Sequence, residues 1–121
     1  MQLNPELIRA IILSIEKNLA IDDYGQAIPL FSDEIVSFSE LSNYSKKDIL
    51  FHLRILINFN LLKTGKRYVS ETYPCILGFT EKGYTFINSI ISDTKWNKLK
   101  SLLKTTGAYT IKTLFEASVN N

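Results

Sequence analysis

The sequence predicts a mainly α-helical chain with a small β-hairpin, and three observations carry that expectation. Apolar residues recur at three- and four-residue spacing through most of its 121 residues, the period of a helix with one buried face. One stretch breaks that period: KTGKRY, from Lys63, and YPCILGF, ending at Phe79, read as two strands around a loop at Ser70 to Pro74. The length fits one compact domain and leaves no room for two.

The elements follow in order. Asn4-Pro5-Glu6 starts the first helix: an asparagine to cap it, a proline where no N–H is needed, and an acid at the positive end of the dipole. Leu7, Ile8, Ile11, Ile12, Ile15 and Leu19 then share a face, and the helix should end near Asn18. Turn residues occupy Asp22 to Gly25, and Pro29 keeps any strand there short and at an edge. Ser32-Asp33-Glu34 can cap a second helix with Ile35, Phe38 and Leu41 on its buried side. Ser45 caps a third, Lys46 to Phe59, with Ile49, Leu53 and Leu56 inward. Asn60 should stop it, because asparagine tolerates the left-handed conformation of a helix end.

After the hairpin, Thr80-Glu81 starts a fourth helix that buries Phe86, Ile87, Ile90 and Ile91. Ser92-Asp93 reads as a break and a new cap. A fifth helix places Trp96, Leu99, Leu102 and Leu103 on one side and Lys95, Lys98, Lys100 and Lys104 over much of the rest, with Gly107 ending it. Thr110 to Ser118 forms a last helix with Ile111, Leu114 and Phe115. This order predicts a winged helix-turn-helix over residues 1–79, with C-terminal helices over 80–121 packed on the same domain. The hairpin needs those helices, since a lone two-stranded sheet is marginal in water.

Composition narrows the function classes. Hydrophobic residues at 45% with a net charge of +2 fit a folded chain and exclude a disordered one. A single cysteine, Cys75, cannot form an internal disulfide, and charges interrupt every apolar run short of a membrane span. With no basic-then-apolar leader at the N-terminus, the expectation is a cytoplasmic protein without membrane contact. The small net charge conceals an asymmetry: residues 1–44 carry two basic residues against seven acidic ones, residues 45–121 twelve against five. Such a split suits an anionic partner for the second half, and equally a lysine-rich solvated surface.

Catalysis is not expected. His52 is the only histidine and sits at a helix-packing position; Cys75 lies among apolar strand residues. No Cys/His cluster has metal spacing, and Gly65-Lys66 lacks the earlier glycine of a phosphate loop, so no cofactor is implied. DNA binding is the stronger expectation. Arg54 on the outward face of the third helix suits guanine and Asn58 adenine, while Lys46 and Lys47 suit phosphate. Lys63, Lys66 and Arg67 of the hairpin can hold an adjacent backbone or minor groove.

Leu50 and Phe51, on the same outward face, cannot distinguish bases by hydrogen bonds. With Arg54 they form the alternative expectation, a hot spot for a protein partner such as a host nuclease or defence protein. Trp96, Leu99, Leu103, Leu114 and Phe115 offer a stripe that either docks on the chain's own core or joins two copies in a dimer.

SKKDILFHLRILINFNLL, from Ser45, is similar to the third-helix segment of bacterial winged-helix repressors. A longer likeness runs through LNPELIRAIILSIEKN, FHLRILINFNLL and LGFTEKGYTFINSIISDTKWNKLK. These resemble domain-of-unknown-function family 2513, an uncharacterised bacterial and phage group. The resemblance implies a winged helix and a phage or mobile-element origin, and no known reaction. Tyr84 stands where the family usually has histidine, after Gly83, and Ile91 where arginine is common. Any chemical role of that histidine is therefore missing from this chain.

Overall fold

The computed structural model describes residues 2–66, 73–106 and 110–119. The first helix, α1 (Pro5–Asn18), begins as its capping residues dictate. The Asn4 side chain accepts from the backbone N–H groups of Glu6 and Leu7 at 3.1 and 3.4 Å, and Pro5 occupies the first turn. Leu7, Ile8, Ile11, Ile12 and Ile15 are all buried.

The chain then turns on itself. Asp22 Oδ1 accepts from the N–H groups of Tyr24 and Gln26, each at 2.9 Å, and Gly25 takes the positive φ of 77° that the turn requires. Pro29 is followed by a one-residue strand: Leu30 and Ile76 exchange both backbone hydrogen bonds, at 2.9 and 2.7 Å. The edge strand expected beside Pro29 is therefore a single bridge.

The second helix departs from the expected length. It is split into α2 (Ser32–Ile35) and a 3₁₀ turn (Ser39–Leu41). Phe31, not Ser32, holds the cap position, and its N–H donates to the Glu34 carboxylate at 3.1 Å. The intervening Val36-Ser37-Phe38 explains the break: Ser37 Oγ donates to the Asp33 carbonyl at 3.0 Å, and Phe38 is extended. Ile35 and Leu41 still reach the core.

The third helix, α3 (Lys46–Asn58), is capped by Ser45, whose Oγ accepts from the Asp48 N–H at 3.1 Å. It ends as expected at Asn60, with φ of 66°. The Leu61 N–H reaches back to the Leu56 carbonyl and the Asn60 N–H to Ile57, the double bond of a left-handed helix stop. Leu61 and Leu62 then turn into the core.

Strands β1 (Leu62–Thr64) and β2 (Ile76–Phe79) pair antiparallel, Leu62 opposite Phe79 and Thr64 opposite Ile76, with one extra residue on β2. Helix α4 (Glu81–Ile90) starts at Thr80, whose Oγ1 accepts from the Gly83 N–H at 3.0 Å and donates to the Asn60 carbonyl at 2.7 Å. One threonine thus joins the start of α4 to the end of α3. Gly83 is required for the same approach, because a Cβ there would run into the Leu61 carbonyl.

Helices α5 (Asp93–Thr106) and α6 (Ile111–Val119) complete the order. The whole is mainly helical with one antiparallel hairpin, consistent with a winged helix-turn-helix carrying C-terminal helices. The expected stop at Gly107 and the loop tip around Ser70 lie outside the described residues.

A single buried cluster runs from Leu7 to Leu114, so α4, α5 and α6 share one core with α1 and α3. The stripe considered for a dimer is consumed there. Trp96, Leu99, Leu103 and Leu114 are buried within the chain, and the Phe115 ring meets those of Phe59 and Phe86 at 5.6 and 6.0 Å. Two expected core residues face outward instead: Leu102 is 44% exposed and Ile91 52% exposed. Leu102 lies about 100° round the helix from Leu103, and Ile91 sits where the chain leaves α4.

Polar groups fasten the seam between α1 and the C-terminal helices. Arg9 donates through Nε to the Ile90 carbonyl at 2.8 Å, and through Nη2 to the Ile91 carbonyl and Asp93 Oδ1 at 3.1 and 2.9 Å. Its guanidinium also lies 5.5 Å from the Trp96 ring centroid. Trp96 Nε1 donates to the Glu6 carboxylate at 3.3 Å, and Lys100 pairs with the same carboxylate at 2.6 Å. No described helix is long and apolar enough to cross a membrane.

Candidate nucleic-acid interface

The inward face of α3 is fixed first. Ile49, Leu53 and Leu56 are buried against the core, and so is His52 at 1% exposure. His52 Nε2 accepts from the Asn4 backbone N–H at 2.8 Å, so its proton lies on Nδ1, which donates to the Asp48 carbonyl at 2.8 Å. Both ring nitrogens are thus committed to structure. This one side chain ties the start of α1 to α3, and so sets which way the opposite face of α3 points.

That opposite face carries Lys47, Leu50, Phe51 and Arg54, at the spacing that stacks side chains over two helical turns. Lys47 and Arg54 are exposed; Leu50 and Phe51 are half-buried. Tyr73, at the base of the hairpin, closes one side. Its hydroxyl donates to the Leu50 carbonyl at 3.4 Å, and the Arg54 guanidinium lies 5.6 Å from its ring centroid. The five residues line an open cleft of about 320 Å³ with an apolar floor and a cation at each end.

Tyr73 was not among the residues expected at a site. A tyrosine beside Pro74 marks the return of a loop, but nothing in the spacing says that it crosses to a helix 23 positions earlier. Its ring restricts the Arg54 side chain by stacking, which lowers the entropy lost when that guanidinium meets a ligand.

The described residues of the C-terminal helices leave this face open: none of them lines the cleft. Helix α6 reaches α3 at its far end, where Phe115 packs on Phe59, about 12 Å along the axis from Phe51. Lys82 locks that end: its Nζ donates to the Phe59 carbonyl at 3.1 Å and sits 3.4 Å from the Phe59 ring centroid.

The other expected contacts fall around the cleft without lining it. Lys46 is exposed in the first turn of α3, and Asn58 is exposed one turn beyond Arg54. Lys63 is exposed on β1, which packs against α3, and Lys66 is exposed just past β1. Arg67 lies outside the described residues. Among the described residues, no ion pair engages Lys46, Lys47, Arg54, Lys63 or Lys66.

Nor do the described residues bring three or more His, Cys, Asp or Glu side chains together as metal ligands. Cys75 is buried, with its thiol 3.8 Å from the Lys66 carbonyl. What the cleft presents is two cations, a tyrosine and hydrocarbon.

No curated protein and no solved structure matches the chain. A family model does match, over residues 2–109, and that span takes in α1, the hairpin, the outward face of α3 and α5. The chain belongs to the family described as "Hypothetical protein (DUF2513)".

Proposed function

We propose that this chain binds double-stranded DNA as a small, non-catalytic winged-helix regulator of phage or mobile-element type, working in the cytoplasm. The observation that carries the reading is the open face of α3, where Lys47 and Arg54 are exposed and meet no acid among the described residues. In this arrangement α3 enters the major groove. Arg54 addresses the O6 and N7 of a guanine, and Asn58 the adenine edge one turn further.

Lys46 and Lys47 support the reading from a different direction. They occupy the first turn of α3, where the helix dipole disfavours cations by roughly 0.3–1 kcal/mol each. A phosphate at that helix start reverses the sign, since it meets two ammonium groups and the free N–H groups together. Lys63 and Lys66, with Arg67 from the sequence, supply the flanking backbone contacts.

Fluorescence anisotropy with duplex DNA at 50 and 200 mM salt tests this. About five phosphate contacts should cost about 500-fold in affinity over that range. Arg54→Glu/Lys66→Glu should abolish binding at either salt. Absence of binding at low salt, or unchanged binding in the double variant, would overturn the proposal.

A second reading, a protein-interaction module, draws on Tyr73. An apolar floor walled by a tyrosine and rimmed by cations is also how a hot spot for an acidic, apolar peptide is built. A protein partner captured by the wild type and lost with Phe51→Ala, in the absence of duplex binding, would favour it.

A further inference from the structure

The floor of the α3 cleft raises a question that the cations do not answer. Leu50 and Phe51 occupy the centre of the face that enters the groove, between Lys47 and Arg54. Neither side chain can donate or accept a hydrogen bond. In the major groove, the feature that hydrocarbon can distinguish is the C5-methyl group of a pyrimidine, which thymine carries and cytosine lacks.

The neighbouring side chain completes a two-base reading. Arg54 lies one helical turn from Leu50 and is stacked on Tyr73, so its guanidinium is held at the rim of the same cleft. One turn of α-helix advances about 5.4 Å, between one and two base steps of 3.4 Å. A methyl group on the floor and a guanine under Arg54 therefore belong to adjacent or next-adjacent base pairs.

We infer that the Leu50–Phe51–Arg54 face recognises duplex DNA through a C5-methyl pyrimidine beside a guanine, and so binds differently to methylated and unmethylated cytosine. This rests on the DNA-binding reading above and specifies what that site distinguishes. 5-Methylcytosine bears its methyl group at the same ring position as thymine and points it into the same groove. Methylation of a cytosine at that position thus supplies a contact that the unmodified base lacks, without changing base pairing. Lys46, Lys47, Lys63 and Lys66 hold phosphates in either case, so the methyl group alters specificity and leaves the salt-dependent binding in place.

The test changes the DNA and leaves the protein intact. Duplexes enriched from a random pool by the wild-type protein are resynthesised with deoxyuridine in place of each thymine in turn. At any position that responds, cytosine is compared with 5-methylcytosine opposite guanine. Removing the methyl group of one thymine should weaken binding about fourfold, the ratio for withdrawing one methyl-sized group from burial, and 5-methylcytosine should bind about fourfold tighter than cytosine.

Phe51→Ala and Leu50→Ala should erase both differences and bind the thymine duplex no more tightly than wild type binds the deoxyuridine one, with melting curves to establish that each variant is folded. Enriched duplexes that bind equally with thymine and deoxyuridine at every position would overturn the inference and leave DNA binding standing. A protein that binds no duplex at low salt would overturn both.

Discussion

Along the seam between α1 and α5, Arg9 is answered by two carbonyls, Asp93 and a ring, and Lys100 by Glu6. On the outward face of α3, Lys47 and Arg54 meet only hydrocarbon and the Tyr73 ring among the described residues. The two regions use the same materials, arginine, lysine and an aromatic ring, to different ends. Where carbonyls and carboxylates come within reach, the cation joins two helices. Where they do not, it stays available to an anion from outside. The difference lies in the partners and hardly at all in the residue types.

Substitutions can break or sharpen this contrast. The largest effect is expected from Trp96→Ala, which removes a fully buried indole and its bond to Glu6; urea denaturation should show a loss of about 3–5 kcal/mol. Arg9→Ala should cost about 2 kcal/mol by the same measurement, since two carbonyls at the end of α4 lose a charged donor. Arg54→Ala should stay within about 0.5 kcal/mol of wild type, because its described contact is one exposed ring stacking. A loss from Arg54→Ala as large as that from Arg9→Ala would mean that the α3 face is structural after all.

The smallest effect belongs to Lys17–Glu40, an exposed pair at 3.0 Å. A hydrogen bond from its own backbone N–H, and then Lys17, hold the Glu40 carboxyl below its ordinary value. A carboxyl lowered in the folded state adds stability above its unfolded value, and that contribution disappears as pH falls through the lowered one. Thermal melting between neutral and acid pH should accordingly show Lys17→Ala and wild type converging as pH falls.

What the sequence discloses in advance is whatever is settled within a few residues. The caps at Asn4, Ser45 and Thr80, and the stop at Asn60, each rest on a hydrogen bond or backbone angle within four positions. The aliphatic faces of α1 and α3 follow from period alone. The second helix is shorter than its apolar spacing suggests because the Ser37 hydroxyl takes the Asp33 carbonyl and the Ser37 N–H turns to Glu34 instead. Leu102 and Ile91 were misjudged because a stripe does not say how wide the facing groove is.

The site was legible in part. Lys47, Leu50, Phe51 and Arg54 share a face by arithmetic on the helix. Tyr73, which turns that face into a cleft, and Arg9, which anchors the C-terminal helices, act across 23 and 81 or more positions. Such contacts depend on how elements pack, and no local pattern announces them.

Those long spans bear on how the chain is made. Ribosomes add about 5–20 residues per second, so the carbonyl that Arg9 grips at Ile90 is synthesised roughly 4–16 seconds after Arg9 itself. His52, which fastens the backbone of Asn4, follows that residue by 48 positions. During that interval α1 can coil and, once α3 has emerged, lay its isoleucines against it, while Arg9 still waits for its carbonyls. The first helix to be translated is thus seated in two steps, on α3 first and on the C-terminal helices last, and the nascent chain must keep a strongly apolar helix from its neighbours until α3 arrives.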